Sequence, residues 1–408
     1  MTSRRLILFF DGTWNTPDNA GQVTNVVKLL RAIPSVGGDI SQITFYDKGV
    51  GTGGFSDRII GGVSGKGLDE NVIDGYRFLS NNYVNGDEIY IFGFSRGAYT
   101  ARSLAGFIGL VGLIQPKHLG RKLIEVITIM RQNIKKEYKQ AAIDRIDLQS
   151  IKKVPIECVG VWDTVGALGI PGDLGRRLYR KPYSFSDVKI GSNIKVSLHA
   201  VAIDEKRSAF APTLWASQNG APPHENQIVE QVWMPGVHSN IGGSYPDSRL
   251  SDIALSWMVA RVTKYTDLIL DKKCLPNPDS FESNIAGTGY ESRSILYLTS
   301  RLYPYQRLMN QTVPNSRGIG EWFRRKFEST DRRNLLPAGL KIISEMLHIS
   351  ALKRWKLPEV RHDVVYQNSS LQPYRPVTLE AVIRERNLPV VDMYGELIPP
   401  EKVPWPEI

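Results

Sequence analysis

Glu88-Ile89-Tyr90-Ile91-Phe92-Gly93-Phe94-Ser95-Arg96-Gly97-Ala98-Tyr99-Thr100-Ala101 is the stretch that decides the fold. The run up to Phe94 is aromatic and β-branched, the composition of a strand buried on both faces. From Ala98 to Val111 the chain is apolar at helical spacing. Between the two, Gly93-Phe94-Ser95-Arg96-Gly97 matches G-x-S-x-G at a strand-to-helix turn, the setting that lifts this short motif above chance. A turn so tight projects the serine hydroxyl above the sheet and leaves no room for side chains beside it, which Gly93 and Gly97 answer. The helix that follows points its N-terminus at the site and favours developing negative charge there. The plain alternative is a structural βα turn with an incidental serine.

Outward from this turn, strand-like and helix-like segments alternate. Leu6–Phe10, Ile43–Tyr46, Ile156–Trp162, Val196–Ile203 and Ile228–Trp233 read as strands, and Asn25–Ile33 and Leu68–Tyr83 as helices. Such alternation predicts βαβ units, hence an α/β fold with a mostly parallel sheet and helices on both faces. Leu123, Ile127, Met130, Ile134 and Tyr138 step by three or four, so the segment 117–153 reads as an inserted amphipathic helix. Beyond residue 270 the rhythm loosens. Pro276, Pro278, the basic runs at Arg324-Arg325-Lys326 and Arg332-Arg333, and a proline-rich end suggest a helical and loop accessory region, 271–408, beside a catalytic domain, 1–270.

Composition narrows the class of protein. With 408 residues, 42% apolar and 23% charged, the chain can build a sizeable core, which excludes a disordered or fibrous protein. Two cysteines, Cys158 and Cys274, give neither a disulfide framework nor a Cys-rich zinc site, and no His/Cys/carboxylate cluster has metal spacing. The apolar run Leu6–Phe10 is too short for a signal peptide and no stretch reaches the length of a membrane span, so synthesis in the cytoplasm is expected, compatible with signal-independent export. The net charge is +10. Between Lys117 and Lys153 ten Lys/Arg face four Asp/Glu, a local +6, which favours anionic partners such as lipid headgroups, although a solvated helix face is the plainer reading and the preferred one.

A serine hydroxyl needs a histidine base and an acid that orients it. All six histidines follow Ser95. His118 precedes further strands, His199 lies inside a strand pattern as a core residue would, His224 sits in a Pro-rich loop, and His348 and His362 lie in the tail. His238 stands in Pro235-Gly236-Val237-His238-Ser239-Asn240-Ile241-Gly242-Gly243, a glycine-flanked loop after a strand, where open α/β sheets carry their reactive groups. Two acids fit between them. Asp163 leaves a strand into Thr164-Val165-Gly166, while Asp204 leads into Glu205-Lys206-Arg207, where a surface ion pair is the plain alternative. Asp163 is preferred, with Asp204 kept open. The oxyanion donors are expected at the N–H of Arg96 and, in Asp11-Gly12-Thr13-Trp14-Asn15 after the first strand, at the N–H of Gly12. Gly49-Val50-Gly51-Thr52-Gly53-Gly54 fits a dinucleotide-binding pattern, but no helix opens at its last glycine, so a loop at the site's mouth is the better reading.

With these residues in hand, the chain resembles the DUF2235 family of α/β hydrolases. The likeness rests on Asp11-Gly12-Thr13-Trp14-Asn15, Gly49-Val50-Gly51-Thr52, Tyr76-Arg77-Phe78-Leu79, Gly93 through Arg102, Val161-Trp162-Asp163-Thr164-Val165-Gly166 and Pro235-Gly236-Val237-His238-Ser239. It covers roughly residues 4–265. That family includes phospholipase effectors of type VI secretion with a Ser-Asp-His triad, so the resemblance implies Ser95, Asp163 and His238, a serine hydrolase acting on carboxylic or phospholipid acyl esters, and no cofactor. The partners expected are an ester or lipid substrate and peripheral contact with an anionic membrane, with no nucleic acid. The rival reading is a catalytically silent α/β scaffold that binds an anionic partner through its basic face.

Overall fold

The computed structural model describes residues 4–12, 23–49, 66–132, 136–165, 189–207, 210–218, 220, 224–292, 306–310, 340–363 and 369–408. Nine strands form one sheet: β1 (Arg5–Phe10), β2 (Val36–Gly37), β3 (Ile40–Asp47), β4 (Glu88–Phe94), β5 (Ile156–Trp162), β6 (Ile194–Ala202), β7 (Ile228–Met234), β8 (Glu345–His348) and β9 (Val390–Val391). Their order across the sheet is β2-β3-β1-β4-β5-β6-β7-β8-β9, and every pairing but β2 with β3 is parallel.

The continuous apolar strands are explained by burial on both sides. Successive side chains of a strand point to opposite faces. Leu6, Leu8, Phe10, Ile89 and Ile91 pack on one face against helix α2 (Lys66–Asn82), through Val72, Tyr76 and Leu79, and against α3 (Arg96–Val111), through Leu104 and Phe107. Ile7, Phe9, Phe92 and Phe94 pack on the other face with Val26 and Leu29 of α1 (Asn25–Arg31) and with Ala254, Trp257 and Met258 of the helix Arg249–Tyr265. A strand between two such layers has no polar face to show.

β1 lies between β3 and β4, so the chain winds first to one side of β1 and then to the other. Loops diverge at such a reversal, which makes it the natural crevice of an open α/β sheet. Parallel register aligns the carboxyl ends: Phe94 lies beside Trp162, Trp162 beside Ala200, and Ala202 beside Met234. Residues 95, 163 and those just past 234 therefore leave the sheet along one edge.

Two expectations are corrected. The basic segment is two helices, α4 (Pro116–Arg131) and α5 (Lys136–Asp144), rather than one. His118 belongs to the first of them, which is anchored by Leu119, Leu123 and Val126, while Tyr138 on the second is exposed. The region after residue 270, expected as helix and loop packed on the sheet domain, also contributes strands. β8 and β9 extend the sheet, and Leu347, Leu352, Leu379, Val382 and Val390 share a core with Val201 and Trp233. The basic runs at 324–326 and 332–333 lie outside the described residues.

Candidate active site

Ser95 sits between β4 and α3 with φ 61° and ψ −119°, a conformation that a residue with a side chain rarely adopts. The surroundings enforce it. The Ser95 N–H donates to the Trp162 carbonyl at 3.1 Å. A Cβ on Gly93 would stand 2.5 Å from the Gly97 carbonyl oxygen, and one on Gly97 would stand 2.1 Å from that of Phe10. The two glycines are therefore fixed by contact: the start of α3 presses onto the end of β1.

His238 opens a five-residue helix, His238–Gly242, just beyond β7. Gly236 before it has φ 114°, and a Cβ there would fall 2.4 Å from that of Asn240. Asn240 in turn accepts the Val237 N–H and donates to the Thr288 carbonyl. The loop so held turns the imidazole back across the sheet edge. His238 Nε2 is 2.7 Å from Ser95 Oγ, and His238 Nδ1 is 2.6 Å from Asp163 Oδ2. Two side chains, 75 and 143 positions from His238, are thus joined with it in one hydrogen-bonded line. The imidazole is walled by Phe94, 4.7 Å between ring centroids, and edge-on by Phe210 at 4.9 Å.

Burial pushes the His238 imidazole below its ordinary value, opposed in part by Asp163. Burial alone would raise the Asp163 carboxyl, but the charge of Arg307 and the bond to His238 outweigh it and hold the group well below the usual carboxylate range. At neutral pH the line therefore consists of a hydroxyl, a neutral imidazole and an ionised carboxylate.

Asp204 does not share this role. Its carboxylate accepts the Gly236 N–H at 2.6 Å and the Tyr374 hydroxyl at 3.0 Å, so it braces the turn before His238 without touching the imidazole. The Gly12 N–H expected at the oxyanion is already donated to Asp11 Oδ1 at 2.6 Å. Asp11, buried, also accepts from Thr24 and Tyr46. Arg96 supplies the first amide of α3, directly after the nucleophile. Thr13, Trp14, Asn15 and positions 50–54 of the glycine-rich stretch lie outside the described residues; Gly49, at φ 75°, packs on the Asp11 and Gly12 carbonyls. His199 is a satisfied core residue: it accepts the Thr164 N–H at 3.0 Å, faces Gln231, and is pushed by burial to about 3.

Three contributors escaped the sequence reading. Arg307 forks onto Asp163, at 2.6 Å to Oδ1 and 2.9 Å to Oδ2. Glu205, next to Asp204, is buried; it pairs with Arg207 and accepts the His238 N–H at 3.3 Å. Phe210 supplies a ring against the imidazole. No motif surrounds any of them.

A mostly parallel sheet with a serine at the β4–α3 elbow and a Ser-His-Asp line along its carboxyl edge is an α/β-hydrolase type of domain. The model of the type VI secretion phospholipase effector Tle1-like catalytic domain matches residues 4–261, and the chain belongs to that family. The uncharacterised protein YEL023C of Saccharomyces cerevisiae is 30% identical over 237 residues, covering 51% of this chain and 32% of that protein, so the chain spans about a third of its curated relative. A crystal structure of a Pseudomonas aeruginosa protein is similar with a TM-score of 0.41 and 21% identity, covering 70% of this chain and 50% of that one. The Tle1 effector bound to the VgrG spike is similar at 0.34 and 19%, covering 60% and 52%.

Proposed function

We propose that the chain is a serine hydrolase that cleaves carboxylic esters of lipids, with Ser95 as nucleophile, His238 as general base and Asp163 as the acid that orients the base. The observation that carries this reading is the pair of bonds from His238, one to each partner, at 2.7 and 2.6 Å. Membership of a phospholipase effector family supports the lipid acyl ester as substrate.

The chemistry follows from the charges. Asp163 accepts a hydrogen bond from Nδ1–H of the neutral imidazole, which leaves Nε2 as the lone-pair nitrogen facing Oγ. As Oγ bonds to the acyl carbon, its proton passes to Nε2, and the imidazolium so formed lies against an ionised carboxylate. The carbonyl oxygen takes the negative charge and faces the Arg96 N–H at the start of α3, where the helix dipole favours it. The imidazolium then gives its proton to the departing alcohol oxygen. A water, deprotonated by His238, then attacks the acyl carbon; the bond to Oγ breaks, the imidazolium returns its proton to Oγ, and the fatty acid leaves. The outward face of α4, with Arg121 at 80% side-chain exposure and Ile124 at 66%, supports peripheral contact with an anionic lipid surface.

A fluorophosphonate probe tests the nucleophile. The wild type should be labelled and should release fatty acid from phospholipid vesicles, and Ser95→Ala should do neither. Absence of labelling on the wild type, or equal labelling of Ser95→Ala, overturns the reading.

A further inference from the structure

We infer that Arg307 is a positioning residue of this site, so that the triad is completed by a segment beyond the catalytic-domain match. The inference rests on the serine-hydrolase reading. Arg307 lies past residue 261, where the family match ends. Its side chain and that of Asp163 are both fully buried. A carboxylate offers about four acceptor directions, and here four are filled. Oδ1 accepts Arg307 Nη1 at 2.6 Å and the Ala202 N–H at 3.0 Å; Oδ2 accepts Arg307 Nη2 at 2.9 Å and His238 Nδ1 at 2.6 Å. A planar fork on a planar carboxylate fixes its rotation, and with it the aim of Oδ2 at the imidazole.

The same guanidinium reaches the walls of the site. Nη1 donates to the Ala202 carbonyl at 2.8 Å, and Nη2 to the Phe210 carbonyl at 2.6 Å. Phe210 carries the ring that stands edge-on to His238. One side chain thus orients the acid and holds a wall of the base. Arg307 also has an electrostatic effect with a definite sign. A buried positive charge beside Asp163 disfavours a second positive charge on His238. Removing it raises the apparent pKa of the Asp163–His238 pair, and the acid limb of activity moves to higher pH.

The test compares Arg307→Gln and Arg307→Lys with the wild type, reading fluorophosphonate labelling and ester turnover against pH on active-site-titrated protein. Arg307→Gln should lose about 10- to 100-fold in kcat with little change in KM, the scale of a misaimed catalytic group, and its acid limb should rise by about one pH unit. Arg307→Lys keeps the charge and loses the fork, so kcat should fall while the limb stays near the wild-type position. Arg307 also lines a cavity of about 400 Å³ together with Asp204 and Tyr374, which gives small cations room to enter. Dilute guanidinium added to Arg307→Ala should therefore restore part of the rate and return the limb.

Wild-type kcat and an unmoved limb in Arg307→Gln overturn the inference, as does a loss that disappears once the active fraction is counted. If Arg307→Gln does not fold, full kcat in Arg307→Lys overturns it equally. Absence of Ser95-dependent labelling in the wild type would instead refute the hydrolase reading itself, so the two failures are distinguishable.

Discussion

Asp163 and Asp204 follow neighbouring strands, the first fully buried and the second half-buried, yet their carboxylates meet different partners. Asp163 faces a cation and an imidazole, which keep it ionised; Asp204 is pushed up by burial, with the Gly236 N–H and the Tyr374 hydroxyl opposing. Only the first can stabilise a positive charge forming on His238. Asp163→Asn should therefore cut kcat by about 10⁴-fold, the scale seen when a triad base loses its tautomer-fixing acid. Asp204→Asn keeps an oxygen for the Gly236 N–H and should stay within about tenfold of the wild type. Equal losses, measured as kcat/KM on a soluble ester, would assign the acid wrongly. From the sequence the choice rested on loop context and on the family resemblance, because a strand-end aspartate by itself looks the same whether its partner is an imidazole or a backbone amide. Arg307 gave no signal at all: it is one basic residue in Gln306-Arg307-Leu308, and its role exists only once the chain has folded back onto β5 and β6.

At the level of elements, the elbow was legible because three independent constraints coincide in a dozen residues: a buried strand, two small residues and an apolar helix. Gly97 carries the tightest of these contacts, beneath the carbonyls of Phe10 and Asp11. Gly97→Ala puts a methyl group against backbone that cannot rotate away. It should lower stability by about 1–3 kcal/mol in urea unfolding, the usual cost of overpacking, and slow labelling of Ser95 by displacing the start of α3. A variant as stable and as reactive as the wild type would show that β1 and α3 do not press together as described. The basic segment was legible as amphipathic but not as two helices. Leu123, Ile127 and Met130 do face the core, but the period runs on through residues 133–135 and gives no sign of the end at Arg131. β8 and β9 were missed for a different reason: four residues, Glu345-Met346-Leu347-His348, and two, Val390-Val391, are too short to display a period of two.

Across the molecule, the same burial that builds the site makes stability depend on pH. His199 and His348 are both held by burial at about 3, and His238 is also pushed down. His348 caps the helix Ile349–Lys356 by accepting the Ser350 N–H on Nδ1, a bond that only the neutral ring can make. When these groups unfold they regain the ordinary histidine value near 6.5. Below that pH the unfolded chain binds protons that the folded chain refuses, so stability is present above about pH 6.5 and is lost as pH falls toward 3. Each fully shifted histidine adds a slope of about 1.4 kcal/mol per pH unit, hence about 2.8 for His199 and His348 together over roughly pH 6 to 4. Asp163 enters later, because its carboxyl lies below the ordinary 3.8 and the stability it contributes is lost only as pH falls beneath that value. Urea unfolding at half-unit steps should show the histidine slope. His348→Asn, which keeps a capping side chain and removes the titration, should reduce the slope by about half. A flat profile in the wild type, or an unchanged slope in His348→Asn, would mean that these rings are not held neutral in the folded chain.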